Sequence, residues 1–280
     1  MKKNWHVLLV STLALFLVSG LFLNAEAPSK TVTKLMAKAE KALKKSKVEK
    51  ALEYYNKVLV EAPEYGPAYY GIARVQASQK LFAEALTNVE KASKLDAENA
   101  QTKELLINVL YQMGKDAAGK NMVKKSNEMF EKLAAVPGVD SLKPKMYLEA
   151  LYSLGNGYGM LKNPAKSIDY FKKVLAIPGI ETSDKKLAFQ LLYKVGLNYY
   201  QLQNAKESCS YFEKMITFPD AETENANLFV TAHYLAGLNA NLAKDLTKSS
   251  DYLRKFLAFP TASAQLLPLA NFLMGTNMMT

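Results

Sequence analysis

The feature that most restricts the fold of this chain is a set of residues that recur every 41 positions. Four registers share that spacing: one of glycines, one of serines, one of large apolar residues and one of prolines. They are Gly114, Gly155, Gly196 and Gly237; Ser126, Ser167, Ser208 and Ser249; Phe130, Phe171, Phe212 and Leu253; and Pro137, Pro178, Pro219 and Pro260. Repeats of this length indicate stacked units, because each unit buries its apolar face against the next one.

The residue types within one unit, 151–178, indicate two helices in contact. Gly155 and Ser167 are small, so two helix backbones can approach closely there, and large residues such as Phe171 fill the surrounding space. Asn163 followed by Pro164 is typical of a helix N-terminus, and Asn204 and Asp245 stand at the same place in the next two units. The proline that ends each unit stops the second helix, since proline cannot continue a helix.

This unit resembles the tetratricopeptide repeat, with Leu151 at the opening Trp position of that pattern and Ser167 at its usual Ala position. The resemblance implies an all-α fold, a right-handed α-α superhelix of about six helix pairs plus a final unpaired helix. The units are expected at about 32–65, 66–99, 100–140, 141–181, 182–222 and 223–263, with a partial unit at 264–280, in a solenoid spanning 28–280. The first two units are 34 residues apart, and later connections are seven residues longer.

The N-terminal segment 1–27 reads as a targeting sequence. A basic head, Lys2-Lys3, precedes an apolar run from Val7 to Leu23 and a small-x-small site at Ala25–Ala27. We expect a signal peptide or an N-terminal membrane anchor, with cleavage favoured, although Pro28 opposes cleavage and the run is nearly long enough to span a bilayer. The protein is therefore expected in the periplasm or on the outer face of the inner membrane, with membrane contact only through this segment.

The residues from Lys30 to Lys50 are strongly basic, with eight lysines against two glutamates. Two interpretations remain open: a solvated face of a capping repeat, or a contact with an anionic surface. We expect no nucleic-acid partner. Cys209 is the single cysteine, so no intramolecular disulfide can form, and its position beside Ser208 predicts a buried thiol.

No residue pattern predicts catalysis, a cofactor or a bound metal. His6 lies in the targeting segment and His233 lies in an apolar helix, where a packed or partly exposed structural histidine is expected. No cluster has metal-ligand spacing, and the glycines of 155–159 sit within a helix rather than in a phosphate-binding loop. The sequence therefore predicts a protein that is not an enzyme.

The candidate ligand-binding residues are a ladder of tyrosines and the residues four positions after them. In the family that this chain resembles, the first helices line a concave groove, and both places correspond to groove positions. The candidates are Tyr70, Arg74, Tyr111, Lys115, Tyr152, Asn156, Tyr193 and Tyr234. Leu197 and Leu238 continue the second series, so the groove is predicted to change from basic to polar to apolar. The alternative is that the tyrosines only pack between units.

These observations predict a non-enzymatic protein–protein interaction scaffold of the cell envelope that binds peptide or protein segments in the groove. Two alternatives remain: a self-associating structural subunit of an envelope assembly, and a cell-wall or glycan-binding module. Residues 260–280 contain no charged side chain. We expect this apolar end either to continue in a longer chain, to dock onto a protein or another copy as a homo-oligomer, or to fold back on the sixth unit.

Overall fold

The computed structural model describes residues 27–279, and every regular element in that range is a helix. The predicted signal peptide or anchor lies outside the described residues, apart from Ala27. The helices are α1 (Lys30–Lys44), α2 (Val48–Glu61), α3 (Gly66–Ser78), α4 (Phe82–Leu95), α5 (Ala100–Gly119), α6 (Val123–Ala134), α7 (Val139–Leu142), α8 (Pro144–Met160), α9 (Pro164–Leu175), α10 (Ile180–Ser183), α11 (Lys185–Gln201), α12 (Ala205–Ile216), α13 (Ala221–Glu224), α14 (Ala226–Leu242), α15 (Leu246–Ala258) and α16 (Leu267–Asn277).

The long helices pack consecutively in pairs, and each second helix also packs against the first helix of the next pair. The first helices are α1, α3, α5, α8, α11 and α14, and α16 follows in the same role. The second helices are α2, α4, α6, α9, α12 and α15. One-turn helices α7, α10 and α13 occupy the longer connections between pairs. The predicted all-α solenoid of helix pairs is confirmed.

The close contact within the four pairs from α5–α6 to α14–α15 depends on the periodic glycine. A Cβ atom added to Gly155 would lie 2.3 Å from Cε1 of Phe171, and one added to Gly196 would lie 2.9 Å from Cε1 of Phe212. The serine of the second helix completes the contact, because the Ser167 hydroxyl donates a hydrogen bond of 2.7 Å to the carbonyl of Gly155. The predicted role of the small residues is therefore confirmed.

The turn inside each of the last three pairs follows the predicted capping chemistry. Asn163, Asn204 and Asp245 accept hydrogen bonds from the backbone N–H three residues later, at 3.1, 3.2 and 3.1 Å. This satisfies one free donor at the start of α9, α12 and α15. The residue before each of these caps is in the left-handed region, as at Lys162, whose φ is 55°.

The single cysteine and the repeat-region histidine are both buried, as predicted. Burial raises the pKa of the Cys209 thiol to about 11, so the thiol stays protonated near neutral pH. Burial also lowers the pKa of His233, whose Nδ1 lies 3.1 Å from the carbonyl oxygen of Phe229. Neither side chain is arranged for nucleophilic or acid–base chemistry.

Helix α16 docks on α15 but leaves much of its apolar surface exposed. Asn277 donates a hydrogen bond of 2.9 Å to the hydroxyl of Ser249. Ala270, on the inner side of α16, is fully buried. Phe272 is 64% exposed, and a Cβ added to Gly275 would meet no atom within 4 Å. Within residues 27–279, no helix combines the length and apolar character needed to cross a bilayer.

Candidate functional site

The candidate site is the surface formed by one face of the first helices, where the tyrosine ladder and the residues four positions later lie. Residues four apart in a helix share a face. The exposures of these side chains differ strongly along the solenoid.

At the N-terminal part, the groove residue Arg74 is held by an internal ion pair. Its Nη2 donates to both carboxylate oxygens of Glu40, at 2.9 and 2.8 Å, and the Tyr55 hydroxyl donates to the same carboxylate. Burial raises the pKa of Glu40, but the hydrogen bonds from Tyr55 and Arg74 outweigh it, so the pKa is lowered overall. Tyr70 is half-buried, with the Arg74 guanidinium carbon 5.7 Å from its ring centre. The positive charge predicted at Arg74 is therefore neutralised.

The next unit also satisfies its groove residues internally. Tyr111 is 7% exposed, its ring contacts Phe130 edge-on, and its hydroxyl donates to Glu149. Burial, followed by this hydrogen bond, raises the pKa of Tyr111 to about 12. Lys115 remains exposed, with its Nζ 5.3 Å from the centre of the Tyr111 ring. Tyr111 is thus mainly a packing residue, whereas Lys115 offers a free ammonium.

Between α8 and α11 the surface forms a pocket with polar and apolar walls. Its volume is about 380 Å³, and Phe171, Asn156 and Lys194 are among its lining residues. The Nζ of Lys194 donates a hydrogen bond of 3.0 Å to Oδ1 of Asn156 and lies 5.8 Å from the centre of the Phe171 ring. Tyr152 is half-buried beside this pocket, and its ring packs on Phe171 with centres 6.2 Å apart.

The last two ladder residues also pack on second helices. Tyr193 is half-buried against Phe212, with ring centres 6.2 Å apart, and burial raises its pKa. Tyr234 is 5% exposed and packs on Phe256 at 5.3 Å. The structure therefore places all five tyrosines in one register, but Tyr111 and Tyr234 present little surface. Their role as ligand-binding residues stays a prediction.

On α8, α11 and α14, the most accessible apolar side chains of this face were not among the sequence candidates. Met160 is 67% exposed, Tyr200 43% and Leu242 52%, and each lies near the C-terminal end of its first helix. Spacing of three or four residues puts them on the face of Asn156, Leu197 and Leu238, respectively. The signal was available in the sequence, because each of these residues stands three or four positions after a member of the second candidate series.

The chemistry available at this surface is binding by apolar contact, hydrogen bonds and lysine charge. Within residues 27–279, no group of three or more His, Cys, Asp or Glu side chains is placed to hold a metal ion. The pocket between α8 and α11 is lined by one lysine, three side-chain amides and the Ser167 hydroxyl. This hydroxyl donates to the Gly155 carbonyl and accepts from the Asn198 amide, so it is not paired with a base.

No protein-family model and no curated protein matches the sequence. Among solved structures, the chain is similar to PilF of Pseudomonas aeruginosa, with 16% identity, a TM-score of 0.38 and coverage of 85% of this chain and 96% of that one. It is also similar to YrrB, described as a TPR protein with an unusual peptide-binding site. The identity is 21%, the TM-score is 0.38, and the match covers 79% of this chain and 99% of that one. It is also similar to the apo form of RapI, with 16% identity, a TM-score of 0.49 and coverage of 89% of this chain and 71% of that one.

The fold is a solenoid of helix pairs, the architecture that the sequence pattern predicted. It is visible directly in the paired helices and in the glycine–phenylalanine contacts of this chain. All three TM-scores lie below 0.5 and all identities below 25%, so what the chain binds is inferred from its own residues.

Proposed function

We propose that this protein is a non-enzymatic scaffold that binds peptide or protein segments along the C-terminal half of its groove, on α8, α11 and α14. The observation that carries the proposal is the exposed apolar series Met160, Tyr200 and Leu242. Covering a large apolar side chain stabilises a complex by about 1.5–3 kcal/mol when burial is complete. Tyr200 adds a hydroxyl that can hydrogen-bond to a bound main chain.

The pocket between α8 and α11 supplies a polar anchor for such a segment. Lys194 is half-buried and forms no ion pair with an acidic residue among the described residues, while Asn156 fixes the position of its ammonium group. A segment that carries an acidic residue beside apolar ones would complement this pocket. Apolar burial then supplies affinity, and the lysine adds selectivity for an acidic partner.

The proposed site of action is outside the inner membrane, and it rests on the sequence of residues 1–27. A basic head, an apolar run and a small-x-small site are the parts of an export signal. We propose a cleaved signal peptide, with an uncleaved anchor as the alternative. Fractionation of cells that express the full chain, combined with N-terminal sequencing of the recovered protein, distinguishes the two.

Selection from a random peptide library on the immobilised protein tests the groove proposal. The affinity of a selected peptide is then measured for two double variants. In the groove variant, Tyr200 and Leu242 are both changed to Ser, and in the matched control Val60 and Leu95 are changed to Ser. Val60 and Leu95 are also exposed, but they lie on second helices.

We expect the groove variant to bind the peptide at least about tenfold more weakly, which corresponds to about 1.4 kcal/mol, and the control to bind as the parent does. Equal affinity for the parent and the groove variant would contradict the proposal. Circular dichroism of both variants is the folding control, because neither pair is buried.

Self-association through α16 is a second candidate function, and the unfilled space at Gly275 favours it. At Gly155 and Gly237 an added Cβ would meet the second helix of the pair, but at Gly275 no described atom lies within 4 Å. Phe272 and Leu269 are exposed beside this space. A second copy could cover the same surface in a two-fold arrangement.

Sedimentation of the parent and of a Phe272→Lys variant at increasing concentration tests this candidate. Phe272 is a better test position than Leu273. Leu273 is half-buried against the neighbouring helices, so a lysine there would also disturb the packing of α16 on α15. We expect the parent to associate and the variant to stay monomeric. A parent chain that remains monomeric at the highest concentration would exclude this function.

A further inference from the structure

The positive charge of the chain is concentrated in its first helix pair. Residues 30–50 carry eight lysines and two glutamates, a net charge of +6, whereas the entire chain carries +10. The lysines are Lys30, Lys34, Lys38, Lys41, Lys44, Lys45, Lys47 and Lys50. All eight are exposed. None of them forms an ion pair with an acidic side chain of residues 27–279.

The lysines of α1 form a continuous stripe on the face opposite the core. Steps of four, four and three residues separate Lys30, Lys34, Lys38 and Lys41, which keeps them on one side of the helix. The opposite side is buried, where Ala39 is fully covered. The stripe from Lys30 to Lys41 extends over about 16 Å of one helix, so its ammonium groups project from a straight line of backbone.

Neither glutamate of this region neutralises the lysine charges of the stripe. The Glu40 carboxylate bonds to Arg74 and Tyr55 at the start of the groove, so its charge is already paired. Glu49 is exposed and belongs to α2. The exposed surface of α1 is therefore cationic along its entire length.

A capping helix needs a polar outer face, but it does not need charges of one sign. Helix α6 illustrates the alternative, since its outward residues mix Lys124 and Lys125 with Glu128. A mixture of both signs solvates a surface without the mutual repulsion of like charges. A stripe of lysine alone is therefore unexplained by solvation, and it indicates an anionic surface that the stripe contacts.

We propose that the lysine stripe of α1 is a contact surface for an anionic lipid bilayer. A straight row of charges matches a plane of headgroups, and each lysine near an anionic membrane contributes to attraction. The region contains no arginine, which is the residue suited to paired hydrogen bonds with bases or single phosphates. The apolar run ends at Leu23, and seven residue steps of at most about 3.5 Å connect Leu23 to Lys30. In the uncleaved form, with this run in a bilayer, Lys30 at the start of the stripe would lie within about 24 Å of the membrane surface.

Vesicle flotation of the full chain tests this proposal. The probes are vesicles of phosphatidylcholine alone and vesicles in which about a quarter of the lipid is phosphatidylglycerol. The stripe variant carries Lys30→Gln, Lys34→Gln and Lys41→Gln. The control variant carries Lys125→Gln, Lys172→Gln and Lys206→Gln, which remove the same charge from exposed lysines elsewhere. All proteins keep residues 1–27, so any binding by the apolar run is common to them.

We expect the stripe variant to lose at least about tenfold of the parent's binding to anionic vesicles at low salt, and the control variant to lose less than about twofold. Binding to neutral vesicles should be the same for all three proteins. Equal losses in both variants, or no preference of the parent for anionic lipid, would overturn the proposal. Tighter binding to a duplex DNA probe than to anionic vesicles, with the same lysines required, would overturn it in favour of nucleic acid.

Discussion

The two halves of the groove differ in how much apolar surface their first helices leave free. In the first half, Arg74 is paired with Glu40, and the Tyr111 hydroxyl is bonded to Glu149. In the second half, Met160, Tyr200 and Leu242 stand exposed. The paired residues of the first half stand at the ladder positions, whereas the exposed residues of the second half stand about one helical turn beyond them. A repeat pattern alone therefore does not identify a binding residue.

The largest expected effect comes from disturbing the packing that both halves share. Gly155→Leu should lower the free energy of unfolding by about 3 kcal/mol, because its Cβ alone would lie 2.3 Å from the Phe171 ring. Gly275→Leu is the matched control, since nothing lies within 4 Å of its added Cβ. Chemical denaturation measures both. Similar losses in the two variants would show that Gly155 is not a close helix contact.

The next largest effect compares one lysine from each half of the groove. Lys194→Gln should weaken binding of an acidic, library-selected peptide about tenfold, because Lys194 lies in the pocket beside Asn156. Lys115→Gln removes an exposed lysine from the first half and should change the affinity less than about twofold. Fluorescence anisotropy at low and high salt measures both. An equal effect of the two changes would remove the distinction between the halves.

A smaller effect is expected from the internal ion pair of the first half. Glu40→Gln should cost about 1 kcal/mol at neutral pH, since Glu40 and Arg74 are about 40% exposed and the pair is partly screened. The lowered pKa of Glu40 means that its stabilisation is present above the usual value of 4.5 and is lost as the pH falls through the lowered value. Thermal unfolding from pH 7 to pH 3 should therefore show a shallower acid loss in the variant than in the parent. An identical slope in both proteins would contradict the assignment.

The smallest effect concerns His233, in the second half. Burial lowers its pKa, so folding favours the neutral ring. The stability that this contributes is complete above the usual pKa of 6.5 and decreases as the pH falls from 6.5 towards the lowered value. Tyr252 packs beside His233. The charge of Lys255 lowers the pKa of His233 further. A His233→Gln variant should lose this part of the pH dependence between pH 7 and pH 5, whereas an unchanged pH profile would place the imidazole in a solvated setting.

Much of the fold was predictable because the chemistry that determines it is local. The Gly155–Phe171 contact and the caps at Asn163 and Asn204 follow from residues in one unit, and the structure confirms them. The exposure of the tyrosine ladder was not predictable in this way. Whether a tyrosine is covered depends on the second helix of its own pair and on the neighbouring unit, as Tyr111 with Glu149 illustrates.

The residues of the candidate site were only partly predictable for the same reason. Glu40 stands 34 residues before Arg74, the period of the first units, so the register itself brings these two opposite charges together. Tyr152 and Tyr193 each pack on a phenylalanine, so replacing them with alanine should reduce stability as well as any binding. Met160, Tyr200 and Leu242 are therefore the cleaner positions at which to measure binding.

Hydroxyl-radical footprinting with a bound, library-selected peptide tests the central claim most directly. Met160 and Tyr200 report on the second half of the groove, and Met122, which is 47% exposed at the start of α6, is an internal control on the same molecule. We predict that the peptide slows modification of Met160 and Tyr200 several-fold and leaves Met122 unchanged. Unchanged modification of Met160 and Tyr200 at saturating peptide would contradict binding on α8, α11 and α14.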